Sequence, residues 1–292
     1  MRFTAWLVLL GTLLLWSGNW IVARAVRDEI APGIATVGRL LIVLAILLPF
    51  VFVSLKNKLH QLTARDWRVL WALGFTGGGL HLALQWLGLH YTTATSGILY
   101  LSTSPIFILL MAAPLAAERI GARQWAGVLL SSSGVATIAT RGEFGLLSFN
   151  VGDGMALMSM MMWAGYTVFL RVRRDPLSTA ELIVMVCALG LVFMAPWLAW
   201  EIFFNRTLDL SSEGAVGVLY SAIGSMLLAY AGWSYVVTRL GAARAGVTMH
   251  LMPAMGVGLA ALFLGEYPRW FHFAGIALIL AGVALSSVRR VA

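Results

Sequence analysis

The residues of this sequence that could do chemistry lie inside long apolar runs. His81 and Gln85 are four apart, a spacing that puts both on one face of a helix. A polar face in an apolar helix turns into a bundle, where it either makes an interhelical hydrogen bond or lines a cavity. His250, beside Met249 and Met252 and three residues before Pro253, is open to the same two readings. These histidines are the titratable groups at depth that could carry a proton. Arg39 could pair with a carboxylate through two parallel donors. It could equally act as an anchor, reaching toward headgroups or a loop acid on the outer side.

Twelve tryptophans are more than interface belts need. Trp16, Trp20, Trp163, Tyr166, Tyr230 and Trp233 all fall inside apolar runs, and Trp16 and Trp20 share a helical face with Asn19 alongside. Rings lining a cavity would suit flat, partly apolar solutes by stacking and organic cations through the ring quadrupole. Alternatively they pack between helices or face lipid. Tyr100, Ser102, Thr103 and Ser104 lead into Pro105, and a proline inside a helix frees a carbonyl. Pro105 and Pro253 are therefore hinge candidates, with fixed kinks as the other reading. Tyr100 and Ser104 join the aromatic and polar residues as substrate-binding candidates.

The sequence lacks H-E-x-x-H, G-x-S-x-G and P-loop motifs, and it lacks paired carboxylates within the apolar runs. An intramembrane enzyme would need a clustered acid/base set, so we expect neither an enzyme nor a cofactor. A channel would need a ring-forming filter sequence, and none is present. All 12 acids fall in loops or near helix ends. Ion-coupled transport commonly uses acids at membrane depth, so the pattern favours facilitated movement over ion symport, with proton coupling through a histidine as the alternative.

The elements that must position these residues follow from composition. The chain has 292 residues, 60% of them hydrophobic and 11% charged, with a mean hydropathy of +0.88. That is more apolar surface than one water-soluble core hides, so the expected surroundings are a lipid bilayer. About 20 apolar residues make one helical crossing. Charges, prolines and glycine pairs divide the chain into ten expected spans, at 4–22, 33–54, 68–89, 94–115, 123–140, 151–171, 178–200, 214–237, 244–264 and 270–288. The first run resembles a signal peptide at Ala23-Arg24-Ala25, but it is too long and is interrupted by Trp16, Asn19 and Trp20; it reads as a span. The lone Cys187 reads as packing.

The net charge of +8 would suggest nucleic acid in a soluble protein, but the basic residues sit in short loops. With the N-terminus inside, about 14 of the 20 Lys and Arg fall on the cytoplasmic side, among them Lys56, Lys58, Arg171 and Arg239. Acids such as Asp153, Glu201 and Glu213 collect outside. Both termini are expected in the cytoplasm of an inner-membrane protein, as a monomer with no nucleic-acid partner.

Laid on itself with a shift of 148, the chain places Pro105 on Pro253, Ala112-Ala113 on Ala260-Ala261, Glu118 on Glu266, Ala126-Gly127 on Ala274-Gly275 and Gly134-Val135-Ala136 on Gly282-Val283-Ala284. A shift of 147 places Trp16-Ser17-Gly18 on Trp163-Ala164-Gly165. Five spans per unit is odd, so the second unit, 151–292, enters the membrane inverted relative to the first, 1–142. Inverted repeats place a substrate site near the midplane between halves, and the Trp16/Trp163 equivalence favours a shared central site. The glycines at 74, 78, 127, 134, 275 and 282 read as close helix contacts. Glu118 and Glu266 read as anchors of helix ends.

The segment Ala94-Thr95-Ser96-Gly97…Pro105…Ala117-Glu118…Gly127…Gly134, with its partner Ala242-Ala243-Arg244-Ala245…Pro253…Gly265-Glu266…Gly275…Gly282, resembles the EamA repeat of the drug/metabolite transporter superfamily. The first repeat has Ala117 where the second has Gly265, a conservative departure. The resemblance implies a ten-helix carrier of small organic metabolites working by alternating access. The Trp- and Tyr-rich helices look most like the YddG-type branch of aromatic amino-acid exporters, which implies amino acids, aromatic ones foremost, as substrates. Drugs or organic cations exported with proton coupling remain the alternative.

Overall fold

The computed structural model describes residues 2–26, 29–91, 100, 103–143, 150–204, 211–264 and 268–287. Ala94 to Gly97, Ser102, Gly265 and Glu266 lie outside the described residues, as do Thr92 and Thr93 of the joint expected at 90–93. The side chain of Trp20 does too.

Among the described residues every regular element is helical. The rods are α1 (Arg2–Val26), α2 (Pro32–Leu59), α3 (Ala64–Leu73, Gly74–Leu80 and His81–Tyr91 without a break), α4 (Ser104–Ala116) and α5 (Ala122–Ala139). They continue with α6 (Val151–Val172), α7 (Thr179–Phe203), α8 (Ser212–Tyr220, Ser221–Leu228 and Ala229–Leu240), α9 (Ala242–Thr248 and Leu251–Leu264) and α10 (Trp270–Ser287). By length and composition, α2, α6, α7 and α8 can cross a membrane, and α1, α4 and α10 contain shorter apolar stretches. The expected spans 33–54, 151–171 and 214–237 each fall inside one of these four, and 178–200 does so from Thr179 onward. Phe50, Val53, Phe203 and Leu262 stand exposed on the outside of the bundle, the surface a hydrocarbon solvent would cover.

The helices start where side chains satisfy their first N–H groups. Thr63 and Asp66 cap α3 reciprocally, and the Thr63 hydroxyl and main-chain N–H hold the Asp66 carboxyl below its ordinary value. Asn150 and Asp153 cap α6 in the same way, and Ser178 and Glu181 cap α7. Asp153 and Glu201, expected as outer-loop acids, are instead buried in helix end turns. Both carboxylates accept main-chain N–H groups, which is what allows them to be buried. Glu201 takes Gly33 N at 2.9 Å and Ile34 N at 2.9 Å, closing the start of α2 from the end of α7. At the other end of the same pair, Glu181 accepts from Lys58 at 2.7 Å and from Ser54. The α2 and α7 rods are thus tied at both ends.

The contacts repeat with a two-fold pattern. α1 packs on α8 and α9 as α6 packs on α3 and α4, so the first helix of each half inserts into the other half. Between α5 and α10, a Cβ added at Gly134 would lie 2.5 Å from the Gly275 oxygen, and one added at Gly127 would lie 2.5 Å from the Gly282 oxygen. Exchanging the halves turns one contact into the other, as in a self-complementary interface. Gly74 and Gly78 likewise meet Leu189, Val186 and Gly190 of α7.

Two features depart from the sequence reading. Pro105 and Pro253 do not stand mid-helix: each lies in the first turn of a helical segment that follows a turn, at Thr103 and at Met249-His250. A proline there forfeits no hydrogen bond, because first-turn N–H groups have no helical partner. The substitution of Ala117 for glycine is also less neutral than it reads, since Ala117 ends α4 with φ 51, in the left-handed region that favours glycine.

Candidate substrate site

The middle segments of α3 and α8, Gly74–Leu80 and Ser221–Leu228, are wound as π-helix. Extra residues per turn displace carbonyls from the regular ladder, and such turns frequently mark functional sites. Small residues make the widening possible: Gly77-Gly78-Gly79 in one segment and Ser221-Ala222, Gly224-Ser225 in the other. A shift of 148 carries 74–80 onto 222–228, so the two π segments occupy matching places in the two halves.

Between them sits a cluster of rings. Trp16 meets Trp163 edge to face at a centroid distance of 5.0 Å and lies 5.3 Å from Trp233. Trp163 also lies 5.2 Å from Tyr166, 5.5 Å from Tyr230 and 5.0 Å from the His81 ring. These are the spacings at which aromatic pairs attract. Four polar tips of the cluster find acceptors. Trp16 Nε1 donates to the Ser225 oxygen at 3.1 Å, Tyr230 to the Gly77 oxygen at 2.8 Å, Trp233 Nε1 to Thr167 Oγ1 at 3.1 Å and Trp163 Nε1 to Met249 Sδ at 3.1 Å. The π segments therefore supply two of the four acceptors.

Against this cluster lies a cavity of about 40 Å³, room for a few waters. Trp16, Asn19, Arg39, His81, Leu82 and Gln85 line it from the first half, and Met160, Trp163, Ser225, Tyr230, Met249 and Met252 from the second. His81 Nδ1 is taken by Ser159, 3.0 Å from its main-chain oxygen and 2.8 Å from its Oγ, which leaves Nε2 as the ring nitrogen available to a ligand. Asn19 Oδ1 is buried without a hydrogen-bond partner. Arg39 is 2% exposed and donates to Ser221 Oγ at 2.9 Å and Thr36 Oγ1 at 3.4 Å. No Asp or Glu is among the described lining residues. The arrangement offers apolar faces, neutral acceptors and one permanent positive charge. It can bind a solute and it lacks a clustered acid/base set.

Of the residues singled out in the sequence, Trp16, Asn19, His81, Gln85, Trp163 and Tyr230 come together on this cavity. Tyr166 and Trp233 stand behind it, buried in the ring cluster. Tyr100 lies elsewhere, beside Asp153. Ser104 points its hydroxyl at Met249 Sδ, 3.8 Å away. His250 sits in the turn that interrupts α9, with Nδ1 against Ser131 Oγ. The sequence reading took Arg39 for a residue near the outer end of its helix; the structure buries it in the cavity wall.

The EamA-like transporter family matches the chain twice, over residues 3–140 and 150–288. The chain belongs to that family. Its cavity thus draws lining residues from both matched repeats of an EamA-like transporter, which places the chain among membrane transport proteins rather than enzymes. An "Uncharacterized transporter" of Archaeoglobus fulgidus is 29% identical over 286 residues, covering 97% of each chain. A "Probable terminal-alkyne amino-acid exporter" of Streptantibioticus cattleyicolor is 28% identical over 230 residues, covering 77% of this chain and 75% of that one. A "Probable amino-acid metabolite efflux pump" of Salmonella typhimurium is 24% identical, covering 66% and 69%. A crystal structure with a TM-score of 0.74 and 22% identity covers 98% of this chain and 96% of that one, a likeness of fold.

The sequence reading did not anticipate the π segments or Ser225. The Gly77-Gly78-Gly79 run was a usable signal for the first of them. Met249 and Met252 were noted only as neighbours of His250, yet both reach the cavity.

Proposed function

We propose that this EamA-like chain carries small amphipathic metabolites, aromatic and other amino acids foremost, across the bacterial-type inner membrane by alternating access, with export as the net direction. Ten spans in two inverted halves, 1–142 and 151–292, with both termini in the cytoplasm, are the architecture we assign to it, acting as a monomer and without a cofactor. The observation that carries the reading is the cavity lined from both halves, with the repeat-equivalent Trp16 and Trp163 in contact at its wall. A site made by two halves opens when they rock apart. At about 40 Å³ the cavity holds waters and not an amino acid, so loading requires it to widen.

Movement down the solute's own gradient fits a cavity whose described lining contains no carboxylate. Proton coupling is the second reading, and it rests on His81 at the cavity wall. The two relatives named for amino-acid export support the choice of solute. The test is uptake of labelled phenylalanine, tryptophan, threonine and a flat organic cation into liposomes holding the purified protein, with and without a proton gradient. Saturable amino-acid uptake insensitive to the gradient is expected. Gradient-stimulated uptake would transfer the mechanism to His81, and uptake of none of the amino acids would overturn the substrate assignment.

A further inference from the structure

We propose that Arg39 is the carboxylate-binding residue of the cavity, and that the site therefore selects solutes bearing a carboxylate over solutes bearing only a positive charge. This rests on the reading that the cavity is the substrate site.

Arg39 is delivered to the cavity by a helix whose position is fixed. α2 is pinned to α7 by Glu201 at its first turn and by Glu181, through Lys58 and Ser54, at its last. The guanidinium is oriented by two hydroxyls, Ser221 and Thr36. Both are neutral acceptors that steer the planar group. Ser221 opens the π segment of α8, so the same local geometry that presents the Ser225 carbonyl to Trp16 also positions Arg39.

A planar guanidinium presents paired donors to a carboxylate. The neighbouring lining matches the rest of a zwitterion. Asn19 Oδ1, buried without a partner, is an acceptor for an ammonium or another N–H donor. The Trp16, Trp163 and Tyr230 rings and the Met160, Met249 and Met252 side chains offer an apolar surface for the remainder of the solute. Only the carboxylate contact joins full charge to full charge, and beside a guanidinium that is 2% exposed that contact outweighs the others. A cation without a carboxylate would instead be brought beside Arg39, and like charges in a low-dielectric site exclude a ligand strongly. The rings alone would welcome such a cation; Arg39 decides against it.

The test uses three compounds that share a phenyl ring and a short chain: phenylalanine, 3-phenylpropionate and phenethylamine. Their competition for labelled phenylalanine is measured on the purified full-length protein by scintillation proximity, with direct binding of labelled 3-phenylpropionate alongside. 3-Phenylpropionate is expected to bind, and phenethylamine to bind about tenfold or more weakly than it. Arg39→Gln is expected to abolish that preference, while Arg39→Lys keeps part of it by retaining charge without the fork. Thermal unfolding checks that each variant folds, and the wild-type series decides if they do not. Phenethylamine binding as tightly as 3-phenylpropionate, or no binding of either carboxylate, would overturn the proposal. Failure of the transport reading is separately visible: carboxylate-selective binding with no uptake of any amino acid into liposomes would leave Arg39's role standing and remove the substrate assignment for transport.

Discussion

The Tyr230 hydroxyl donates to the main-chain oxygen of Gly77 at 2.8 Å, joining α8 of the second half to the π-helical turn of α3 in the first. Gly77 is bare on the other side as well: a Cβ there would run into the Tyr166 ring. One backbone position thus receives a ring face from α6 and a hydroxyl from α8. Both tyrosines in turn pack on Trp163, so the shape of the α3 π turn and the placement of the cavity rings are mechanically linked.

Tyr230→Phe keeps the ring stack and deletes the hydroxyl. Loss of one buried hydrogen bond costs about 0.5–1.5 kcal/mol. The expected result is a lower thermal unfolding temperature in detergent, with tryptophan emission unchanged because the rings stay in place. An unchanged midpoint would show that the Gly77 bond contributes nothing to stability.

Trp163 touches Trp16, Tyr166, Tyr230, Trp233 and His81. Removing its side chain leaves a cavity at the join of the halves and costs about 3–5 kcal/mol if nothing collapses into it. Trp163→Ala is expected to lower amino-acid uptake about tenfold or more while the protein still inserts into the membrane, whereas Trp163→Phe keeps an apolar face and retains most of the rate. Uptake kinetics compared at equal reconstituted protein make the measurement. Wild-type kinetics in the alanine variant would take Trp163 out of the site.

The helical, membrane-embedded character and the repeat were legible because both are written in patterns that survive without geometry: runs of apolar residues and matches at a fixed shift. The equivalence of Trp16 and Trp163 was legible from the repeat, but their contact was not, since a two-fold relation brings together only those equivalent residues that lie near its axis. The burial of Arg39 in the cavity wall was harder to read, because depth along a helix does not reveal which neighbours surround it. Tyr100 and His250 illustrate the same limit. Each is a polar residue in an apolar run, and each meets a neighbour far away in sequence, Asp153 and Ser131. The first-turn positions of Pro105 and Pro253 were hidden for a local reason: a proline reads alike in the middle of a helix and in its first turn unless the preceding break is visible.

Glu118 joins three elements. Its carboxylate accepts from Ala242 N at 2.8 Å and Ala243 N at 3.0 Å at the start of α9, and Arg171 of α6 lies 3.5 Å away. Arg171 also donates to the Thr238 oxygen near the end of α8 at 3.3 Å. A carboxylate at first-turn N–H groups is worth about 1 kcal/mol. The ion pair adds little, because Arg171 is substantially exposed. Glu118→Ala is therefore expected to lower stability by about 1 kcal/mol and to speed hydrogen exchange at residues 242–246, while Glu118→Gln, which keeps one acceptor oxygen, has the smaller effect. Unaltered exchange in the alanine variant would mean that water replaces the cap at no cost.

Just before it, Ala117 ends α4 at φ 51, ψ 32, and its N–H donates to the Ala112 oxygen. A residue with a Cβ pays about 1–2 kcal/mol for this left-handed conformation, and glycine does not. Glycine also loses more chain entropy on folding, which offsets part of the gain. The repeat-equivalent position in the sequence is Gly265, which shows that glycine is compatible with the motif. Ala117→Gly is expected to raise stability by about 0.5–1 kcal/mol, read as a higher thermal midpoint, and to leave uptake unchanged because the turn and the Glu118 cap keep their geometry. A lower midpoint would mean that the methyl group of Ala117 makes contacts worth more than the strain it imposes.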